Sequence, residues 1–257
     1  MNRLSPTNTF STDRFIHLLK RAFVLNRQQW LIGLLASAGI VMVIWVVPTL
    51  FIVSETGANR TEFLLPFAFM IFTLWGLLVT SDIFQELNTP STAFQSLTLP
   101  ATSTEKFVAS WFLTVPIFLF VTIAAILLIT LLSSLIILIF NGGFTDFNIY
   151  NPFDRATCDF AANYLFFNSL FLLGAIFFRK NNFLKTIAAF IGFMISFFIL
   201  WSIFGWLLIS FDIIGFISFE FIASDSTNDI IGFLFKWVIT TTALLLAYVL
   251  LKRQQVA

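Results

Sequence analysis

Gln85-Glu86-Leu87 and Leu97-Thr98-Leu99-Pro100-Ala101-Thr102-Ser103-Thr104-Glu105-Lys106-Phe107 form a polar, proline-punctuated stretch in a chain that is otherwise nearly all lipid-soluble. Thr89-Pro90 can start a short helix that runs to about Leu97 and stops before Pro100. Thr102-x-x-Glu105 has the form of a capping box, in which each side chain satisfies the other residue's free backbone N–H. The chemistry such residues offer is recognition: a folded patch against which a soluble partner can push. Catalytic chemistry is not legible. No G-x-x-x-x-G-K-[ST] is present, so nucleotide phosphates are not held by a P-loop of this chain. His17 is the single histidine, too few for H-E-x-x-H or a haem pair, and the single Cys158 excludes a cysteine metal cluster. Ser133-Ser134 has no basic group beside it at membrane depth, so a serine intramembrane protease is disfavoured. Lys236 is the one clear charge inside an apolar run. Either its stem snorkels to an interface, or the ammonium lines a pathway and meets an anionic ligand.

The elements that must position these residues are membrane helices. Hydrophobic residues make up 59% of the chain and charged ones 11%, far from the quarter typical of soluble domains. Six runs have the roughly 20 apolar residues needed to cross about 30 Å of hydrocarbon: 31–53, 63–80, 116–140, 160–178, 187–210 and 230–251. None alternates apolar with polar residues, as barrel strands would. The fold class is therefore an all-α integral membrane protein with six transmembrane helices. Ala188, Gly192 and Ser196 recur every four residues in the fifth run, a stripe expected to pack closely within the chain, with a dimer seam as the alternative. Pro48 is expected to kink the first run near its end.

Charge orients the bundle. With both termini on one side, that side collects eleven basic and four acidic residues, and the other two basic and nine acidic. The positive-inside rule makes the first side, and both termini, cytoplasmic. Residues 1–30, with five basic side chains and no leading apolar core, do not read as a cleavable signal. Within them 11–29 is expected to form a separate amphipathic helix on the inner surface. At 100° per residue Phe15, Ile16, Leu18, Leu19, Ala22, Phe23 and Leu25 fill one face; Arg14, His17, Lys20, Arg21 and Arg27 fill the other. Helix running unbroken from Ser103 to Phe140 would be too long for one crossing, so an elbow is expected before Pro116. The apolar stretch 211–229 reads as an interfacial or re-entrant helix pair on the outer side.

Together these parts resemble the ABC-2 type permeases across nearly the whole chain. The resemblance rests on Arg14-Phe15, Leu18-Leu19-Lys20-Arg21 and Asn26-Arg27 before the first span, and on Leu97-x-Leu99-Pro100-Ala101-x-Ser103-x-Glu105-Lys106-Phe107 before the third. The second is similar to an LP-(A/V)-S-x-x-E-(K/I)-F stretch of that family, with Thr102 inserted before the serine. The resemblance implies the transmembrane subunit of a bacterial inner-membrane exporter. Its partners would be a separate P-loop ATPase, a second permease subunit (identical or not) and the bilayer, with no nucleic acid. The chain itself would hold no cofactor, ATP being bound by the ATPase, and would not be an enzyme. The loop 81–106 would be the coupling region, using Glu86, Leu97, Leu99, Pro100, Ala101, Ser103, Glu105, Lys106 and Phe107, with Glu86 and Glu105 facing basic residues of the ATPase. The alternative is a non-transport scaffold or sensor subunit that recruits a cytoplasmic partner through the same loop.

Overall fold

A computed structural model of the chain describes residues 10–51, 60–84, 101–141, 149–178, 181–210 and 225–256. Among them the backbone is helical almost throughout and no strand occurs, because in hydrocarbon every N–H and C=O must pair within its own segment. The order is α1 (Thr12–Phe51), α2 (Arg60–Asp82), α3 (Ser103–Phe112), a π-helical turn (Leu113–Ile117), α4 (Phe118–Asn141), α5 (Arg155–Phe177), α6 (Asn182–Ser210) and α7 (Asp225–Val256). Six segments are long and apolar enough to cross a bilayer: Thr12–Val47, Leu64–Asp82, Ser103–Ile136, Arg155–Phe177, Asn182–Leu207 and Gly232–Arg253. Each overlaps one of the six predicted runs, the first and third beginning well before them, and the chain is a multi-pass membrane protein.

Two packing centres hold the bundle. Val41 and Trp45 of α1, Ala68 and Phe72 of α2, and Ile126 and Ile129 of α4 bury one another. Leu172, Ala175 and Ile176 of α5 bury against Ala247 and Leu251 of α7. Helix α5 is the hub, touching α2, α6 and α7. It meets α6 so closely that a Cβ at Gly174 would lie 2.0 Å from Thr186 Oγ1, so only glycine fits there.

Four expectations need correction. The surface helix and the first span are a single 40-residue helix, because nothing in Gln28-Gln29-Trp30 breaks it and Pro48 lies within it. At about 60 Å it is far longer than one crossing requires. Its faces are also mixed: Ile16, Phe23 and Leu25 are exposed while Arg14 and Arg21 are half-buried, because α3 packs on this side of α1. Among the described residues the stripe Ala188, Gly192, Ser196 is exposed, and a Cβ built at Gly192 meets no neighbouring element within 4 Å. Instead α6 meets the bundle through Asn182, Thr186, Phe183 and Phe190, and Ile191 to Leu207 are largely exposed. Asp225 to Asp229 open α7 rather than ending a loop, and the rest of the apolar stretch falls outside the described residues.

Candidate functional site

Glu105 is fully buried, and its surroundings explain why. The capping box predicted at the start of α3 is present: Glu105 N–H donates to Thr102 Oγ1 at 3.2 Å and Thr102 N–H to Glu105 Oε2 at 2.8 Å. The second carboxylate oxygen leaves the box. It accepts from the Ser11 backbone N–H at 2.8 Å and from Arg14 Nη2 at 3.1 Å. One carboxylate thus ties the start of α1 to the start of α3, with charge-assisted bonds on both oxygens. Around it Phe15 of α1 meets Phe112 of α3 edge-on, centroids 6.0 Å apart. On the other flank α3 rests on α7: the Thr104 and Tyr248 hydroxyls share a 3.1 Å hydrogen bond, and Phe107 lies edge-on to the Tyr248 ring.

From this joint the chain enters the bundle through the π turn, which contains Pro116. Pro116 removes a backbone donor, and widening to the π pattern re-pairs what an α-helix would leave unmatched. The Thr114 carbonyl there accepts from Tyr164 Oη at 2.7 Å, and Asn168 Nδ2 bonds Thr80 Oγ1 at 2.7 Å. Tyr164, Asn168, Thr80 and Thr114 are all fully buried, forming a polar knot of α2, the π turn and α5. The ring of Phe118 stacks on Tyr164 at 4.6 Å and covers the knot.

A cleft of about 610 Å³ opens at the far end of α2 and α5. Leu65, Phe69, Met70 and Phe160 make its apolar wall; Asp154, Asp159 and Asn163 add polar groups. Tyr150, also lining it, shares a hydrogen bond with Thr157, and burial pushes its phenol up from the ordinary tyrosine value while that bond pulls it back. Lys236 Nζ donates to Asn163 Oδ1.

Against protein-family models, curated proteins and solved structures, the chain finds no match. The geometry alone therefore carries the functional reading.

Of the predicted coupling residues, Glu86, Leu97, Leu99 and Pro100 fall outside the described residues. Ala101, Ser103, Lys106 and Phe107 are half-buried around the joint. Glu105 is not turned to a partner as expected; both of its oxygens are taken up inside the chain. Of the residues assigned to the surface helix, Arg14 belongs to the joint, Phe15, Leu18, Leu19 and Arg21 are half-buried, and Lys20 and Arg27 are exposed. Lys236 lies against Asn163. Sequence reasoning missed Ser11, Tyr248 and the polar knot. Tyr164 and Asn168, one turn apart within an apolar span, were the signal for the knot.

Proposed function

We propose that this chain is the membrane-spanning permease subunit of an ATP-driven exporter of the ABC-2 type in the bacterial cytoplasmic membrane. It works with a separate P-loop ATPase and a second permease subunit, and hydrolysis belongs to the ATPase. Both termini and the 81–106 loop face the cytoplasm, into which the first turns of α1 extend beyond the length of one crossing. The observation that carries this reading is the buried Glu105 carboxylate, which fastens the end of the polar loop to the start of α1. A loop that merely docked a scaffold would gain nothing from being braced on α1 and α7 and led through a π turn into a span. A loop that is pushed would. Closure of the ATPase acts on the bundle only through contacts that differ between its two arrangements. The brace supports a shared displacement of α1 and α3, and the π turn a place where α4 can yield.

Affinity purification of the tagged chain from its native membranes in mild detergent tests this. A soluble P-loop ATPase is expected to co-purify and to be lost when residues 85–100 are scrambled with Thr102 and Glu105 left intact. Recovery of the chain with no ATPase, even after crosslinking in intact membranes, would move the reading to a scaffold or sensor.

A further inference from the structure

Two carboxylates line the cleft between α2 and α5, and a cation of α7 meets it through a lining amide. Asp154 is the N-cap of α5, and Asp159 follows just over one turn along the helix. Asn163 lies one more turn along, roughly 6 Å farther by helical rise. There it accepts from the Lys236 ammonium of α7; a neutral amide orients that charge without neutralising it. Arg155 scarcely competes for Asp159: the pair is 4.0 Å apart with both side chains solvent-exposed, a geometry worth little. Alongside these groups runs the wall of Leu65, Phe69, Met70 and Phe160. Phe153, next to Asp154 in sequence and 91% exposed, is an aromatic of the kind that sits at headgroup level.

We infer that this cleft binds a zwitterionic phospholipid, its ammonium at Asp154 and Asp159, its phosphate at Lys236 and Asn163, and an acyl chain along the apolar wall. The step of one helical turn from Asp159 to Asn163, which holds the Lys236 ammonium, is close to the reach of an ethanolamine arm from nitrogen to phosphorus. An anionic lipid would set its net charge against two carboxylates, and a simple cationic amphiphile would be opposed by Lys236. Only a headgroup with both signs matches both. The cleft's volume suits a headgroup with the first part of a chain, within the range of about 300–1,000 Å³ for small-ligand sites. The inference stands whether or not the chain exports anything.

Native mass spectrometry of the full chain in detergent, with equimolar phosphatidylethanolamine and phosphatidylglycerol, tests it. Wild type is expected to retain phosphatidylethanolamine about tenfold over phosphatidylglycerol, one tenfold step being about 1.4 kcal/mol. Asp154→Asn with Asp159→Asn should abolish that preference; asparagine still caps α5, so the helix start survives. Lys236→Gln should weaken both lipids. Equal retention of the two lipids by wild type would overturn the inference, as would an unchanged preference in the double variant with wild-type circular dichroism. Tight binding of dodecylammonium that survives Lys236→Gln would overturn it too, by showing a cation site with no phosphate contact.

Discussion

Glu105→Ala lowers the melting temperature of the detergent-solubilised protein by about 6–12 °C, the shift expected for a loss of about 3 kcal/mol in a chain of this size. Three losses coincide. The Thr102 N–H loses the acceptor that closes the capping box. The Ser11 N–H loses its acceptor as well. Arg14, with only 30% of its side chain exposed, loses its carboxylate, and removing one partner of a largely buried pair is the costly way to break it. Glu105→Gln keeps an oxygen for one backbone donor and should fall about half as far. The charge swap Arg14→Glu with Glu105→Arg separates this account from a simple ion pair. Arginine has no acceptor for two backbone donors, so the swap should be no better than Glu105→Ala. A swap that restores the melting temperature would reduce the joint to charge alone.

Gly76→Val separates helices at the polar knot and costs about 3 kcal/mol, at the upper end for overpacking a filled core. Even a single Cβ at Gly76 would lie 2.4 Å from Phe118 Cζ and 2.7 Å from Tyr164 Cε2. Neither ring can step aside, because the two stack on each other and both are buried. Phe118→Leu, which removes the far edge of one ring, should return part of the lost stability to the valine variant while destabilising the wild-type background. That non-additivity between touching residues is the measurement that counts, read as thermal melts of the two single variants and the double. Purely additive losses would mean that α2 does not approach Phe118 as closely as it does here.

The spans were legible because their signal is local: twenty apolar residues in a row suffice, whatever they pack against. The capping box was legible for the same reason, since Thr102 and Glu105 lie within one turn. What Glu105 does with its other oxygen was not, because Ser11 is 94 residues away and no periodicity relates them. Helix α1 was divided at residue 30 on composition, yet a change from polar to apolar residues is no break where the backbone meets no proline or glycine. The stripe at Ala188, Gly192 and Ser196 misled because small residues permit a close approach without compelling one. Gly174 permits one and gets it, for Thr186 faces it.

Among the described residues α6 is, in mechanical terms, a cantilever. Its first turns are clamped by Asn182, Thr186 and the Phe171–Phe183 and Phe167–Phe190 ring contacts. From Ile191 to Leu207 it projects about 26 Å with almost every side chain exposed. A beam fixed at one end magnifies what happens at its root: a 5° tilt at the clamp carries the tip sideways by about 2 Å over that length. It takes its straightness from its own backbone hydrogen bonds and its lateral support from whatever surrounds it, so the composition of the bilayer is felt there first.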